Sequence, residues 1–264
     1  MKKVLAEDWQ DILAFNQLDS FEALWTLDIE WFEPPNFRRG GWSGASRFVL
    51  KRPDGGEVGV FIKRQQNHKG ASLRHPIKGE PTFGIEMRNI LRLQKIGVPS
   101  LTPIYYEQRK QGGDLQAILM TKELQGYEPL DVLLQKWGQS GWPALSAGRA
   151  ELISQMAKAI ALLHQHRFQH HGLYTKHVFV QWNSGAPKIC LIDLEKMRGN
   201  FNAKLAMRRD LYTFFKDFGV HRLTDQMRFL LQYLGDARLT PAAKRIWKEL
   251  HNKARKKQAH LFKT

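Results

Sequence analysis

The sequence predicts an α+β protein in two lobes, a small β-rich N-terminal lobe and a helical C-terminal lobe. Three observations carry that prediction. Strand-length runs bounded by Gly, Pro, Asn and Asp turns fill residues 45–121, with a single helical pattern among them. Past residue 129 the apolar spacing becomes helical and stays so, apart from one short hairpin. At 264 residues the chain exceeds ordinary single-domain size, so two lobes sharing a cleft are a natural packing. The N-terminal helices and β-rich lobe are expected over 1–124 and the helical lobe over 125–264.

Taken in order, Asp19-Ser20-Phe21-Glu22 has capping-box spacing ahead of Ala23-Leu24-Trp25, which predicts one or two short helices at the start. Gly40-Gly41-Trp42-Ser43-Gly44 reads as a loop leading into a strand at Arg47-Phe48-Val49-Leu50. Pro53-Asp54-Gly55-Gly56 is a turn, and residues 58–63 form the returning strand. An irregular basic passage follows over 64–79. Ile85, Asn89, Ile90, Leu93 and Ile96 then recur at spacings near three and four, a helix over 84–96 that Gly97-Val98-Pro99 ends. Strands at 101–107 and 115–121 flank the hairpin Lys110-Gln111-Gly112-Gly113-Asp114, and Lys122-Glu123-Leu124-Gln125-Gly126 is a connector. Helices are expected at 130–137 and 149–166, the latter with Leu152, Ile153, Met156, Ile160 and Leu163 on one face. A hairpin of 178–181 and 188–192 turns through Asn183-Ser184-Gly185, and the chain is helical from 209 onward.

Composition excludes several classes. With 42% hydrophobic and 11% aromatic residues, wholesale disorder is ruled out. The longest apolar runs are strand-length, far from the ~20 residues that span a bilayer. The opening Met1-Lys2-Lys3-Val4-Leu5-Ala6-Glu7-Asp8 turns acidic where an export signal carries its apolar segment, so a cytoplasmic setting is expected. A single cysteine, Cys190, excludes an internal disulfide, and its apolar flank reads as a buried strand. Forty-one Lys and Arg against 25 Asp and Glu give +16; residues 1–35 hold two lysines and eight acids (−6), so the remainder carries +22. Such a body attracts a polyanion: nucleic acid, an anionic membrane face, or a phosphorylated or acidic-sugar substrate.

Four clusters stand out along this order. Phe61-Ile62-Lys63 puts a lysine on a strand one hairpin after the glycines, and Glu86 sits on the following helix. Met120-Thr121-Lys122-Glu123-Leu124 precedes the change to helical spacing. His170-His171-Gly172-Leu173-Tyr174-Thr175-Lys176-His177 leads into the second hairpin. Leu191-Ile192-Asp193-Leu194-Glu195 closes that hairpin, with Asp193 sixteen residues after His177. Together these resemble the protein-kinase-like fold over roughly residues 30–235, and more narrowly the lipopolysaccharide core kinase family of heptose kinases, Kdo kinases and InaA-like proteins.

The resemblance implies ATP and Mg²⁺ as cofactors. It implies that Lys63 grips the α- and β-phosphates and Glu86 holds that lysine. It makes Gly41, Ser43 and Gly44 a phosphate-approaching loop, and Met120 and Glu123 part of a hinge whose backbone pairs with adenine. His171, Gly172 and Tyr174 fall in the catalytic loop, His177 and Asp193 in the metal positions, and Asp210 on the helix that braces the loop. One position departs from the pattern: the aspartate that accepts the acceptor hydroxyl's proton is Gly172, and His171, Tyr174 and Glu195 are close enough to substitute.

Three functions stay open on this reading: a kinase of an inner-core sugar, heptose or Kdo; a pseudokinase with a regulatory role in envelope or acid stress; and a basic nucleic-acid-binding protein. The expected partners are lipopolysaccharide core or another anionic glycolipid, and the anionic inner-membrane surface as a peripheral site. Residues 244–264 carry eight Lys and Arg against Glu249, a balance of +7, with Ile246, Trp247, Leu250 and Ala254 at helical spacing. That apolar side either packs on the lobe or meets lipid. The basic passage of Arg64, Lys69, Arg74 and Lys78 suits phosphates or acidic sugars.

Overall fold

In a computed structural model, residues 3–38, 40–72, 75, 77–140, 147–183, 186–218 and 223–261 are described. Arg74, the turn residues Ser184 and Gly185, and residues 262–264 lie outside them. The chain divides into two units, Met1–Arg92 with Leu101–Gln125, and Leu93–Ser100 with Gly126–Thr264.

The first unit contains β1 (Lys3–Leu5), α1 (Gln10–Phe15), α2 (Phe21–Thr26), β2 (Asn36–Arg38), β3 (Gly41–Lys51) and β4 (Glu57–Gln66). There follow β5 (Lys69–Gly70), β6 (Glu80–Pro81), α3 (Thr82–Lys95), β7 (Pro103–Gln111) and β8 (Asp114–Lys122). A six-stranded antiparallel sheet runs β1-β7-β8-β4-β3-β2. Alternation along a strand splits its side chains between two faces. On one face Val60, Ile62, Ile118 and Met120 are fully buried against Trp9, Leu13, Leu18, Phe21 and Leu24 of the N-terminal helices. Lys63 and Gln65 therefore point to the other face.

Several boundaries differ from expectation. The hydroxyl of Ser20, not Asp19, caps α2, accepting from the Ala23 amide at 3.2 Å, as suits a serine at this position. Glu22 instead pairs with Arg109. Strand β1 was not anticipated; it pairs with β7, with Lys3 opposite Glu107. Of the glycine stretch only Gly40, at φ 75°, lies in a turn, the one between β2 and β3. β3 begins at Gly41, and Ser43 pairs with Asn36 on one side and Gln65 on the other. A Cβ at Gly41 would lie 2.0 Å from the Gln66 carbonyl oxygen, and one at Gly44 2.6 Å from the Trp31 ring. Close packing demands glycine at both places. Nor is 64–79 wholly irregular, since β4 runs on to Gln66 and β5 pairs with β6.

The second unit contains β9 (Glu128–Pro129), α4 (Leu130–Ser140), α5 (Ala147–Gln165), β10 (Phe168–Gln169), β11 (Val178–Gln181) and β12 (Lys188–Leu191). It continues through β13 (Arg198–Gly199), α6 (Ala203–Phe218), α7 (Leu223–Leu234) and α8 (Pro241–Leu261). The expected face of α5 is buried along its length: Leu152, Ile153, Met156, Ile160 and Leu163. Helix α6 starts earlier than expected because Asn202 caps it, its Oδ1 accepting from the Leu205 amide at 3.0 Å. Cys190 is buried on β12, and that burial pushes its thiol up to about 12, which removes it as a nucleophile. On α8, Leu250 is buried and Trp247 packs its ring on Phe215 and His251, so this stretch of the apolar side lies against its own unit. Among the described residues no helix is long and apolar enough to cross a membrane.

Candidate active site

In the first unit, β4 and α3 build one cluster. Lys63 Nζ donates to Glu86 Oε1 at 2.7 Å, with the glutamate side chain 4% exposed and the lysine 22%. Gln65, two residues along the same strand face, explains why the pair meets. Its Oε1 accepts from the Phe83 amide at 2.9 Å and from the Thr82 hydroxyl at 3.0 Å, and its Nε2 donates to the His68 carbonyl at 2.6 Å. The buried amide thus caps the start of α3, and one turn later the helix delivers Glu86 to Lys63. Sequence reasoning missed Gln65; the signal was strand parity, which puts residues 63 and 65 on one face.

The hinge expectation requires correction at Met120. Met120 pairs with Ile62 of β4 and Tyr105 of β7, so its backbone is spent inside the sheet and its side chain in the core. The Glu123 amide donates to the Gly59 carbonyl at 2.9 Å. Its carboxylate takes a two-pronged contact from Arg47, at 2.6 and 2.9 Å. Met120 therefore offers no free backbone edge to adenine, and at Glu123 the amide is already committed. Gly41, Ser43 and Gly44 are likewise strand residues, as described above.

In the second unit the loop between β10 and β11 is organised by Asp210 of α6. This carboxylate, 1% exposed, accepts from the amides of His170 at 2.6 Å and His171 at 3.1 Å, and contacts His164 Nε2 at 3.2 Å. His164 Nδ1 in turn meets the Tyr233 hydroxyl at 2.8 Å, so His164 donates to Asp210 and accepts from Tyr233. The His171 backbone sits at φ 62°, a left-handed conformation costing ~1–2 kcal/mol that the two Asp210 contacts hold in place. The His170 ring is fully buried, and that burial holds its imidazole below the ordinary range; Nε2–H donates to the Ile192 carbonyl at 3.1 Å.

His177 and Asp193 come together. His177 Nε2 lies 3.4 Å from Asp193 Oδ2, while its Nδ1 donates to the Gly172 carbonyl at 2.7 Å. Asp193 has φ 57°, a left-handed turn that aims its carboxylate at this ring. Tyr174, 40% exposed, packs against the His177 ring at 5.6 Å. The exposed His171 imidazole is pulled below its usual range chiefly by desolvation, with Arg198 and Arg209 adding to this and Asp210 opposing it. Gly172 is under no steric compulsion. A Cβ there would meet His170 Nδ1 and His177 Nδ1 at 3.8 Å each, ordinary contact distance.

These elements belong to a known class. Residues 22–233 match the profile of the lipopolysaccharide kinase (Kdo/WaaP) family, and the chain belongs to that family. It is similar to Protein InaA of Escherichia coli (strain K12), 30% identical over 196 residues, which make up 73% of this chain and 85% of that protein. A solved structure, WaaP in complex with acyl carrier protein, matches with a TM-score of 0.70 at 21% identity, covering 97% of this chain and 99% of that one. At that identity the likeness speaks for fold, and the fold is the α+β, kinase-like one that the sequence predicts.

Proposed function

We propose that the protein is an ATP-dependent kinase that phosphorylates a sugar of the lipopolysaccharide inner core, heptose or Kdo. The observation that carries this reading is the Lys63–Glu86 ion pair: a buried carboxylate holds an ammonium on a rigid strand, as nucleotide phosphates require. Asp193, with His177 beside it, would hold the divalent ion that accompanies ATP, and an ion there would neutralise charge on the nucleotide phosphates. The donor set fits a divalent ion, because His177 Nε2 and the Asp193 carboxylate face each other at 3.4 Å with Nδ1–H committed to Gly172. Phosphoryl transfer depends on position and charge neutralisation, and Lys63 supplies a fixed positive charge for both. His171, Tyr174 and Glu195 are the candidates for the missing base, each to be tested by substitution.

Gly172 favours a second reading, a pseudokinase that binds nucleotide without useful turnover. One experiment tests nucleotide binding, which both readings share. ATP is expected to raise the melting temperature only with a divalent metal present, by ~2.7 kcal/mol of stabilisation at a hundredfold excess over Kd. Lys63→Ala or Asp193→Asn should abolish that shift. A wild-type protein indifferent to saturating Mg²⁺-ATP would remove both readings and return the nucleic-acid alternative.

The basic surface supports an anionic glycolipid substrate at the cytoplasmic face of the inner membrane, engaged peripherally. Each Lys or Arg near an anionic bilayer contributes ~1 kcal/mol, so part of the +7 in residues 244–264 is enough for reversible attachment. Binding to anionic liposomes should weaken with salt and with deletion of residues 253–264. Equal binding to neutral vesicles, or tighter binding to DNA, would contradict this placement.

A further inference from the structure

The metal position has an unusual donor. Where His177 stands, an amide oxygen would suit Mg²⁺, an ion that demands oxygen ligands in near-octahedral array. Imidazole nitrogen instead favours first-row transition ions, whose affinities rise along the series from Mn²⁺. The geometry around His177 is that of a ligand already oriented. Nδ1–H is fixed on the Gly172 carbonyl at 2.7 Å, which sets the tautomer and leaves the Nε2 lone pair facing Asp193 Oδ2 at 3.4 Å. A backbone carbonyl holding the distal N–H is the usual support of a metal-bound histidine. The ring is also pinned, with His170 stacked on it at 6.3 Å and Tyr174 at its edge at 5.6 Å. Two acceptors facing each other at 3.4 Å repel unless a cation lies with them. That cation is either a proton, giving an imidazolium–carboxylate pair, or a metal ion.

We infer that His177 and Asp193 form a mixed nitrogen–oxygen site that favours a transition ion such as Mn²⁺ over Mg²⁺. The inference rests on the kinase reading only for Asp193 facing nucleotide phosphate; the metal contact itself lies within the second unit. Phosphate oxygens and water would complete the coordination shell, since no cluster of three or more His, Cys, Asp or Glu forms a metal site among the described residues.

The test uses the full chain with Mn²⁺, with and without ADP, read by electron paramagnetic resonance, and Mg²⁺ as competitor. Wild type is expected to show nitrogen hyperfine coupling from one imidazole to bound Mn²⁺. His177→Asn should remove the coupling, and Mg²⁺ should displace Mn²⁺ about tenfold more readily from that variant than from wild type. His177→Gln serves as a second variant, and unchanged melting temperatures show that each is folded. Absence of nitrogen coupling in wild type, or equal Mg²⁺ competition against wild type and His177→Asn, overturns the inference and leaves the proton-bridged pair. Nitrogen-coupled Mn²⁺ with no ADP binding under either metal supports the site and defeats the kinase reading. A Mg²⁺-ADP melting shift without nitrogen coupling does the reverse.

Discussion

Replacing Asp210 with alanine is expected to lower stability by about 4 kcal/mol. The carboxylate is 1% exposed and serves the amides of His170 and His171 together with His164 Nε2. Each buried donor left unpaired costs ~1–3 kcal/mol, and the relaxed loop regains only part of that by releasing the left-handed His171. Asp210→Asn keeps one acceptor oxygen and should lose roughly half as much, because its amide nitrogen faces donors. Denaturant titration checks both values. A loss below ~1 kcal/mol for the alanine variant would mean that the loop is held by something other than this carboxylate.

The second large effect concerns Gly172. If the only catalytic defect is the missing carboxylate, Gly172→Asp is expected to raise phosphoryl transfer by ~10²-fold or more while nucleotide affinity stays nearly unchanged. The fold should accept the change. The residue is not in the left-handed region, and a Cβ meets its nearest neighbours at 3.8 Å. Steady-state kinetics with a dephosphorylated core oligosaccharide checks this, with melting temperature as the folding control. A wild type that already turns over briskly, and that Gly172→Asp slows, would assign the base to another residue. His171→Ala, Tyr174→Phe and Glu195→Gln would then identify it.

Much of this fold was legible in the sequence because apolar spacing follows geometry. The α5 face came out as read, since five buried residues at helical spacing leave one possible orientation. The lysine–glutamate pair was legible by order along the chain, a strand lysine followed by a helix glutamate. Its support was not: Gln65 looks like any polar residue of a basic strand until its amide is seen capping α3. The glycine stretch misled for a related reason. Glycines at 41 and 44 signal close approach, and sequence alone does not say whether a phosphate, a carbonyl or an indole approaches; here they are the Gln66 carbonyl and Trp31. Met120 was misplaced because a strand that continues into the middle of a sheet has the same local pattern as one that ends at a hinge. The order of strands that sets Met120 between β4 and β7 is a long-range fact. The His177–Asp193 contact was foreshadowed by the family resemblance, which put both residues in the metal positions, and the Nδ1 bond to Gly172 that orients the ring was beyond sequence reading.

The central claim is phosphoryl transfer to an inner-core sugar, and the mass of the acceptor tests it most directly. Purified protein is incubated with Mg²⁺-ATP, and in parallel Mn²⁺-ATP, and dephosphorylated core oligosaccharide, which is then weighed by mass spectrometry. The account predicts acceptor heavier by one phosphoryl group, formed by wild type and not by Lys63→Ala or Asp193→Asn. Acceptor of unchanged mass with both metals, from protein that binds nucleotide and from Gly172→Asp alike, would contradict it.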